Sequence, residues 1–238
     1  MVELKELIER ERKKDNFIID GTDGEYTAIY FTGDVFANNN PRLENYYFDF
    51  YKMRIKKASK HILIRDVKQV EYSCGISDEL DSVEKVLEFL KEQTKGSKVI
   101  TIGVSTGGYA ATLFGIMLNA EYVLTISGVF TDELVNMVKD TNVPIFYICP
   151  RRSEFDLQHY DLIKDIEKIN VLSTKSHCHH MPIFKDILNI IINSDIKRLK
   201  QMFVYKEKPI SERIFIIKYF GIFKFLKRMI KKNIELAK

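Results

Sequence analysis

The segment Gly103-Val104-Ser105-Thr106-Gly107 follows a β-branched run and precedes a long apolar helical pattern. A serine with glycines two residues to either side, at a sharp strand-to-helix turn, is typical of a nucleophile whose hydroxyl is exposed above a sheet. A serine hydroxyl becomes a good nucleophile only when a base accepts its proton, and that base needs a third group to orient it. We therefore predict that Ser105 attacks acyl carbonyls with the help of an acid and a base that lie elsewhere in the chain.

The acid is expected after the apolar strand predicted at 144–149, because proteins with this motif carry their triad in the order serine, acid, histidine. Active-site residues of such sheets lie at the carboxyl ends of parallel strands. Asp156 is the preferred acid and Glu154 the alternative. An aspartate near the start of a helix is also commonly an N-cap, and the two roles are compatible.

The base is expected after the last predicted strand, at 170–174. Three of the five histidines of the chain, His177, His179 and His180, fall within four positions there. We favour His180, because it closely precedes a helix predicted to start near Pro182. His179 and His177 remain as alternatives.

The negative charge that develops on an attacked carbonyl oxygen needs two hydrogen-bond donors. One predicted donor is the backbone N–H of Thr106, directly after the nucleophile. The other is expected from the loop after the strand at 27–32, where Gly33 permits close backbone approach and Asp34 or Val35 supplies the N–H.

Strands and helices alternate along the chain, which predicts a mostly parallel sheet covered by helices on both faces, an α/β fold. The strands at 17–20 and 27–32 lie close together and predict an antiparallel start. The other predicted strands lie at 61–67, 99–102, 122–126, 144–149 and 170–174. The predicted helices lie at 41–58, 77–93, 107–118, 131–139, 157–167 and 182–193.

The composition, with 45% hydrophobic and 29% charged residues in 238, indicates a globular chain. Three cysteines at no metal spacing favour free thiols in a reducing compartment. The charged stretch at 1–14 is unlike a secretion signal, and no run of about 18 apolar residues occurs. We expect a cytoplasmic protein. We expect neither a cofactor nor a metal, because Cys178 and its neighbouring histidines cannot all wrap one tetrahedral ion.

Residues 195–238 hold 13 Lys or Arg and 4 Asp or Glu, a net charge of +9, so the remaining chain carries −5. We predict an acidic domain over 1–194 and a basic amphipathic helical extension over 195–238. A basic helix with an apolar stripe is typical of a membrane-surface helix, and one interpretation of 209–238 is that it docks at the inner face of a membrane. The alternative is that its apolar face packs on the domain or on a second subunit. Nucleic-acid binding is not expected, since no reader module is recognisable.

Residues 103–115, Gly-Val-Ser-Thr-Gly-Gly-Tyr-Ala-Ala-Thr-Leu-Phe-Gly, resemble the same turn in α/β-hydrolase-fold proteins of bacterial surface-polysaccharide gene clusters. They are also similar to the glycan acetyltransferase of accessory Sec secretion systems. The stretches at 47–52, 62–66 and 122–127 are similar too, and the resemblance covers about 25–185.

The resemblance implies an α/β-hydrolase fold and a Ser-His-Asp site. It further implies a serine esterase or O-acyltransferase, with an acetyl group on a carbohydrate or surface glycan as the expected substrate. Ser105 and Asp156 match the nucleophile and the acid. His180-Met181-Pro182 is one residue shorter than the related ending, which leaves His179 and His180 both open. The alternative function is a non-catalytic component of a surface-glycan assembly or secretion complex.

Overall fold

The computed structural model describes residues 4–34, 47–68, 71–179 and 182–227. In this part of the chain eight strands form one sheet in the order β1-β3-β2-β4-β5-β6-β7-β8. The strands are β1 Phe17–Gly21, β2 Tyr26–Phe31, β3 Lys60–Ile64, β4 Lys98–Val104, β5 Tyr122–Ile126, β6 Ile145–Pro150, β7 Ile169–Thr174 and β8 Val204–Ile210. Strand β1 is antiparallel to β3, and all other neighbours are parallel. The parallel body and an antiparallel first strand are thus confirmed, although β1 pairs with β3 and not with β2, the strand that follows it in the chain.

The helices alternate with these strands. They are α1 Leu4–Arg12, α2 Val83–Gln93, α3 Thr106–Met117, α4 Asp132–Asp140, α5 Glu154–Ile163, α6 Lys185–Ile192, α7 Ile196–Met202 and α8 Glu212–Phe220. Helices α2 to α5 pack on one face of the sheet, and α6 to α8 pack on the other. Because successive strand side chains point to opposite faces, Ile29 and Phe31 of β2 enter one core layer while Tyr30 enters the other. This two-sided burial explains why several strands, such as β6, are apolar on both faces.

Several predicted boundaries differ from the structure, and three of the differences concern helices before the last strand. The helix expected at 41–58 is wrong over its described part, since 47–59 form turns, and 41–46 lie outside the described residues. Helix α2 begins only at Val83, because the Ser82 hydroxyl accepts a hydrogen bond from the Lys85 N–H and caps the helix there. Helix α5 begins three residues earlier than predicted, because Ser153 caps it.

The segment beyond residue 194 is not a continuous helix. After α7 the chain forms β8, which pairs in parallel with β7 from Val171↔Val204 onward and extends the sheet by one strand. Helix α8 ends at Phe220 and is capped by Gly221, whose φ of +83° suits the left-handed region that glycine favours. Residues 222–227 are again helical. Over its described part, the predicted helical extension is corrected to helix, strand, helix and further helical residues.

The inner face of α8 packs against the sheet through Phe215 and Ile216, which are buried. Phe215 and Ile216 therefore pack on the domain itself, which is the alternative given for the apolar face of this segment. Ile222, Phe223 and Leu226 remain exposed. Among the described residues, no helix has both the length and the apolar content needed to cross a bilayer.

Candidate active site

Ser105 lies on the tight turn between β4 and α3, with φ 55° and ψ −124°. A non-glycine residue in this region is strained, and such strain persists only where the surrounding structure enforces it. The flanking glycines enforce it by close contact: a Cβ on Gly103 would collide with the Gly107 carbonyl, and a Cβ on Gly107 would collide with the Phe31 carbonyl. The glycine spacing in the sequence thus reflects a real steric requirement.

The structure brings Ser105, His179 and Asp156 together. His179 Nε2 lies 2.8 Å from Ser105 Oγ, and His179 Nδ1 lies 3.0 Å from both Asp156 carboxylate oxygens. An ionised carboxylate only accepts hydrogen bonds, so Nδ1 must carry the proton and Nε2 is left to accept from the serine hydroxyl. This is the arrangement in which a histidine can take the proton of an attacking serine.

The three residues follow β4, β6 and β7, whose carboxyl ends meet at one edge of the sheet. Asp156 is fully buried, and the His179 side chain is 19% exposed. The carboxylate is therefore shielded from solvent, while part of the imidazole remains accessible.

Asp156 lies in the first turn of α5, where the N-terminal end of the helix dipole favours a negative charge. The cap of this helix is Ser153, whose hydroxyl accepts from the Asp156 N–H at 3.4 Å. The Asp156 carboxylate is therefore directed to His179 and does not serve as the N-cap.

Cys149 lies in β6, the strand that leads to Asp156, and its side chain is fully buried. Burial raises the pKa of the Cys149 thiol to about 12, and the charge of Asp156 acts in the same direction. A thiol that stays protonated is a poor nucleophile, so Cys149 does not compete with Ser105.

The preference for His180 is corrected by this geometry, because His179 occupies the position between Ser105 and Asp156. His180 itself lies outside the described residues. The preference rested on a helix starting near Pro182, whereas α6 begins at Lys185. The distance from the helix start was therefore no guide to which imidazole reaches the serine.

The other two candidates lie apart from the triad. His177 is exposed, and its Nδ1 lies 3.1 Å from the Arg152 carbonyl oxygen. Glu154 is exposed at the start of α5, and the structure pairs His179 with Asp156 instead.

Two of the residues predicted at the oxyanion position, Thr106 and Gly33, lie close to Ser105. Thr106 is the first residue of α3, so its N–H belongs to the unpaired amino end of that helix. A Cβ on Gly33 would lie 3.4 Å from the Ser105 Cβ, which confirms the close approach expected of this loop. The Gly33 N–H itself donates to Asp49 Oδ2 at 3.0 Å, so Gly33 provides the approach and not the donor. Asp34 follows it and is exposed, while Val35 lies outside the described residues.

Two residues that hold this loop were not found from the sequence. The Tyr72 hydroxyl donates to the Thr32 carbonyl at 2.7 Å, and the Asp49 N–H donates to Thr32 Oγ1 at 3.1 Å. Burial raises the pKa of Tyr72, and the neighbouring carboxylates Asp66 and Asp49 act in the same direction, so the phenol stays protonated and remains a donor. Asp49 lies within the stretch 47–52 that carries part of the resemblance, but nothing there indicated a role for it, and Tyr72 lies outside every stretch singled out from the sequence.

Metal-binding geometry does not occur in the described part of the chain, where no group of three or more His, Cys, Asp or Glu side chains is arranged to hold an ion. His61 instead contacts the Tyr30 hydroxyl at 3.0 Å, and His159 contacts the backbone of Phe130 at 3.2 Å.

Sequence comparison detects no relative: no protein-family model matches the chain, and no curated protein does. Solved structures do match. MenH from S. aureus superposes with a TM-score of 0.52 at 11% identity, over 79% of this chain and all of that one. The capsule O-acetyltransferase of Neisseria meningitidis serogroup A superposes at 0.50 and 14%, over 76% of this chain and 93% of that one.

An alpha-beta serine hydrolase homologue from Coxiella burnetii matches equally well, at a TM-score of 0.50 and 14% identity, over 74% of this chain and 89% of that one. Identities this low carry information about the fold only. Together with the strand order and the serine turn after β4, these matches show that the chain has the α/β-hydrolase fold.

Proposed function

We propose that this protein is a serine esterase or O-acyltransferase that works through an acyl-enzyme on Ser105. The observation that supports this proposal is the continuous chain of contacts from Ser105 Oγ to His179 Nε2, and from His179 Nδ1 to the buried Asp156. Backbone strain at a serine costs free energy, and strained residues of this kind cluster at active sites. A buried carboxylate that orients a histidine toward such a serine is the arrangement that activates a nucleophile.

In the first half-reaction, Ser105 Oγ attacks the ester carbonyl carbon and its proton passes to His179 Nε2. Asp156 stabilises the imidazolium that forms. The carbonyl oxygen becomes an oxyanion near the Thr106 N–H and the loop at 33–34. When the C–O bond to the alcohol breaks, the alcohol leaves with the proton from His179, and the acyl group stays on Ser105.

In the second half-reaction, a hydroxyl acceptor gives its proton to His179 and attacks the acyl-serine carbonyl. Collapse of this intermediate returns the proton to Ser105 Oγ and releases the product. A water acceptor makes the protein an esterase, and a sugar hydroxyl makes it an O-acyltransferase. The same residues serve both outcomes.

For the substrate, we propose an acetyl group on a carbohydrate or surface glycan. The resemblance of residues 103–115 motivates this choice, as does the activity named for the capsule O-acetyltransferase with the same fold.

The test is labelling with a fluorophosphonate probe, which reacts only with activated serines. We expect the intact chain to be labelled and Ser105→Ala to be unlabelled. Ser73→Ala, at an exposed serine outside the site, is the matched control and should label normally. If the folded chain does not react with the probe, the proposed esterase or acyltransferase activity is contradicted. A role as a non-catalytic component is then favoured. Assays with acetylated sugars, with and without a sugar acceptor, then separate hydrolysis from transfer.

A further inference from the structure

The end of the described chain exposes apolar and basic side chains together. The apolar ones are Ile214, Ile217, Ile222, Phe223 and Leu226, and the basic ones are Arg213, Lys218, Lys224 and Lys227. We call this set the anchor surface. Phe223 is its most exposed large residue, at 85%. Five exposed large apolar side chains between residues 214 and 226 are unusual on a segment that only faces water.

The charge on the anchor surface is uncompensated. No Asp or Glu occurs between residues 213 and 227. Within the described ranges, none of the four cations lies within ion-pair distance of a carboxylate, whereas lysines elsewhere, such as Lys60 and Lys85, are paired with aspartates. Lys218 instead lies over the rings of Tyr205 and Tyr219. The partner that fits this surface is therefore both apolar and negatively charged.

An anionic lipid surface has both properties. Lysine stems lie along apolar surface while their charged ends reach outward, so lysines beside Phe223 and Leu226 can contact headgroups while those rings and methyls enter the acyl boundary. A second copy of the chain fits less well, because a symmetric contact through this surface would bring like charges together.

The part of the anchor surface from Lys218 to Lys227 lies away from the catalytic residues, whereas Arg213 and Ile214 lie in the first turn of α8, near the end of β8. Helix α8 starts where β8 ends, and its last turn returns to the start of β8, where the Tyr219 hydroxyl donates to the Gln201 carbonyl at 2.9 Å. The helix at 222–227 follows from there. Ser105, His179 and Asp156 lie at the carboxyl ends of the strands, which is the opposite edge of the sheet. Docking through 222–227 leaves the site open to water-soluble substrates.

We propose that the anchor surface docks this protein on anionic membranes, with the catalytic edge facing away from the lipid. This inference goes beyond the proposed chemistry and does not depend on it. It assigns the anchor surface to contact with lipid and not to packing on a second subunit.

The test is co-sedimentation of the full chain with vesicles of phosphatidylcholine containing 30% phosphatidylglycerol, compared with pure phosphatidylcholine. We expect binding to the anionic vesicles that weakens with added salt. Lys224→Gln with Lys227→Gln should weaken binding about 25-fold, since each lysine near an anionic surface contributes about fivefold. Phe223→Ser should weaken it about tenfold through lost apolar burial.

Matched controls make the same chemical changes elsewhere. Lys91→Gln with Lys95→Gln removes two exposed charges near the end of α2, and Leu162→Ser removes an exposed apolar side chain from α5. Both should bind vesicles as the unaltered chain does. Circular dichroism of every variant checks that it is folded.

Absence of vesicle binding, equal binding to neutral vesicles, or equal losses in the controls would overturn the proposal. So would self-association that Phe223→Ser abolishes, because the occupant would then be a second copy. Fluorophosphonate labelling is measured on the same samples and should be unaffected by the anchor variants. A failure of docking is thereby distinguished from a failure of the proposed chemistry.

Discussion

The ring of Phe155 meets the imidazole of His179 edge-on, with ring centroids 5.0 Å apart and planes at 88°. The same ring meets His159 at 4.7 Å, and 48% of its surface remains exposed. Phe155 lies one residue before Asp156, so a single turn of α5 supplies both the carboxylate that orients His179 and the ring that flanks it. Edge-to-face contacts of this kind favour one orientation of the partner ring.

Replacing Phe155 should therefore disturb the orientation of His179. We expect Phe155→Ala to lower kcat for a simple acetyl ester by about three- to tenfold, as the loss of one aromatic contact implies. Phe155→Leu keeps the bulk and should lie between the two. Steady-state kinetics on p-nitrophenyl acetate measures the effect. An unchanged kcat with a raised KM would instead make Phe155 a substrate contact.

The neighbouring histidines provide a direct test of which one acts as base. We expect His179→Ala to lower kcat by about a thousandfold or more, because the proton of Ser105 then has no acceptor. His180→Ala is the paired variant, with the same chemical change one position along, and should lower kcat by less than about fivefold. The comparison uses kinetics and probe labelling together. A reversal of the two effects would restore His180 as the base.

The glycine spacing around the nucleophile should be a stability requirement. A Cβ at Gly103 would meet the Gly107 carbonyl, so we expect Gly103→Ala to lower the free energy of unfolding by about 3 kcal/mol through overpacking. Gly96→Ala is the control: its Cβ meets nothing within 4 Å, and only its positive φ of 79° adds strain, of about 1 kcal/mol. Urea denaturation measures both. If both variants lose the same free energy of unfolding, the steric clash expected at Gly103 is contradicted.

A buried ion pair links α1 to the end of β3: Glu11 Oε2 accepts from Arg65 Nη2 at 2.6 Å, and both side chains are at most 1% exposed. Burial raises the pKa of Glu11, but the hydrogen bonds from Lys14, Arg65 and Arg10 outweigh it and hold that pKa below its ordinary value. A carboxyl group with a lowered pKa in the folded state stabilises the fold above its unfolded pKa, about 4.3. That stabilisation is lost as the pH falls further.

We therefore expect Glu11→Gln to lower the free energy of unfolding at pH 7 by about 3 kcal/mol, as for other broken buried pairs. The difference from the unaltered chain should shrink below about pH 4, where Glu11 becomes protonated. Asp78→Asn removes an exposed partner of Arg12 at the end of the same helix and should cost less than about 1 kcal/mol. Urea denaturation at both pH values measures this, and a difference independent of pH would contradict the ionic role of Glu11.

Most of the fold could be predicted from local sequence patterns. The strands from β2 to β7 were predictable because each contains a short apolar run bounded by turn residues. Ser105 was predictable because the glycine spacing is itself the steric condition of the turn. Helix starts were less predictable. Ser82 and Ser153 each cap the start of a helix through one hydroxyl, and several nearby polar residues offered the same chemistry.

The sequence by itself determined which residue types meet at the catalytic edge: a serine after β4, an acid after β6 and a histidine after β7. Only the tertiary structure decided that the histidine is His179, because its reach to Ser105 depends on the backbone path after β7 and not on distance from α6. The tertiary structure likewise decided the conformation of the segment beyond residue 194. Its alternating stretch at 204–210 became a strand because the unpaired edge of β7 offers backbone partners that no local pattern reveals.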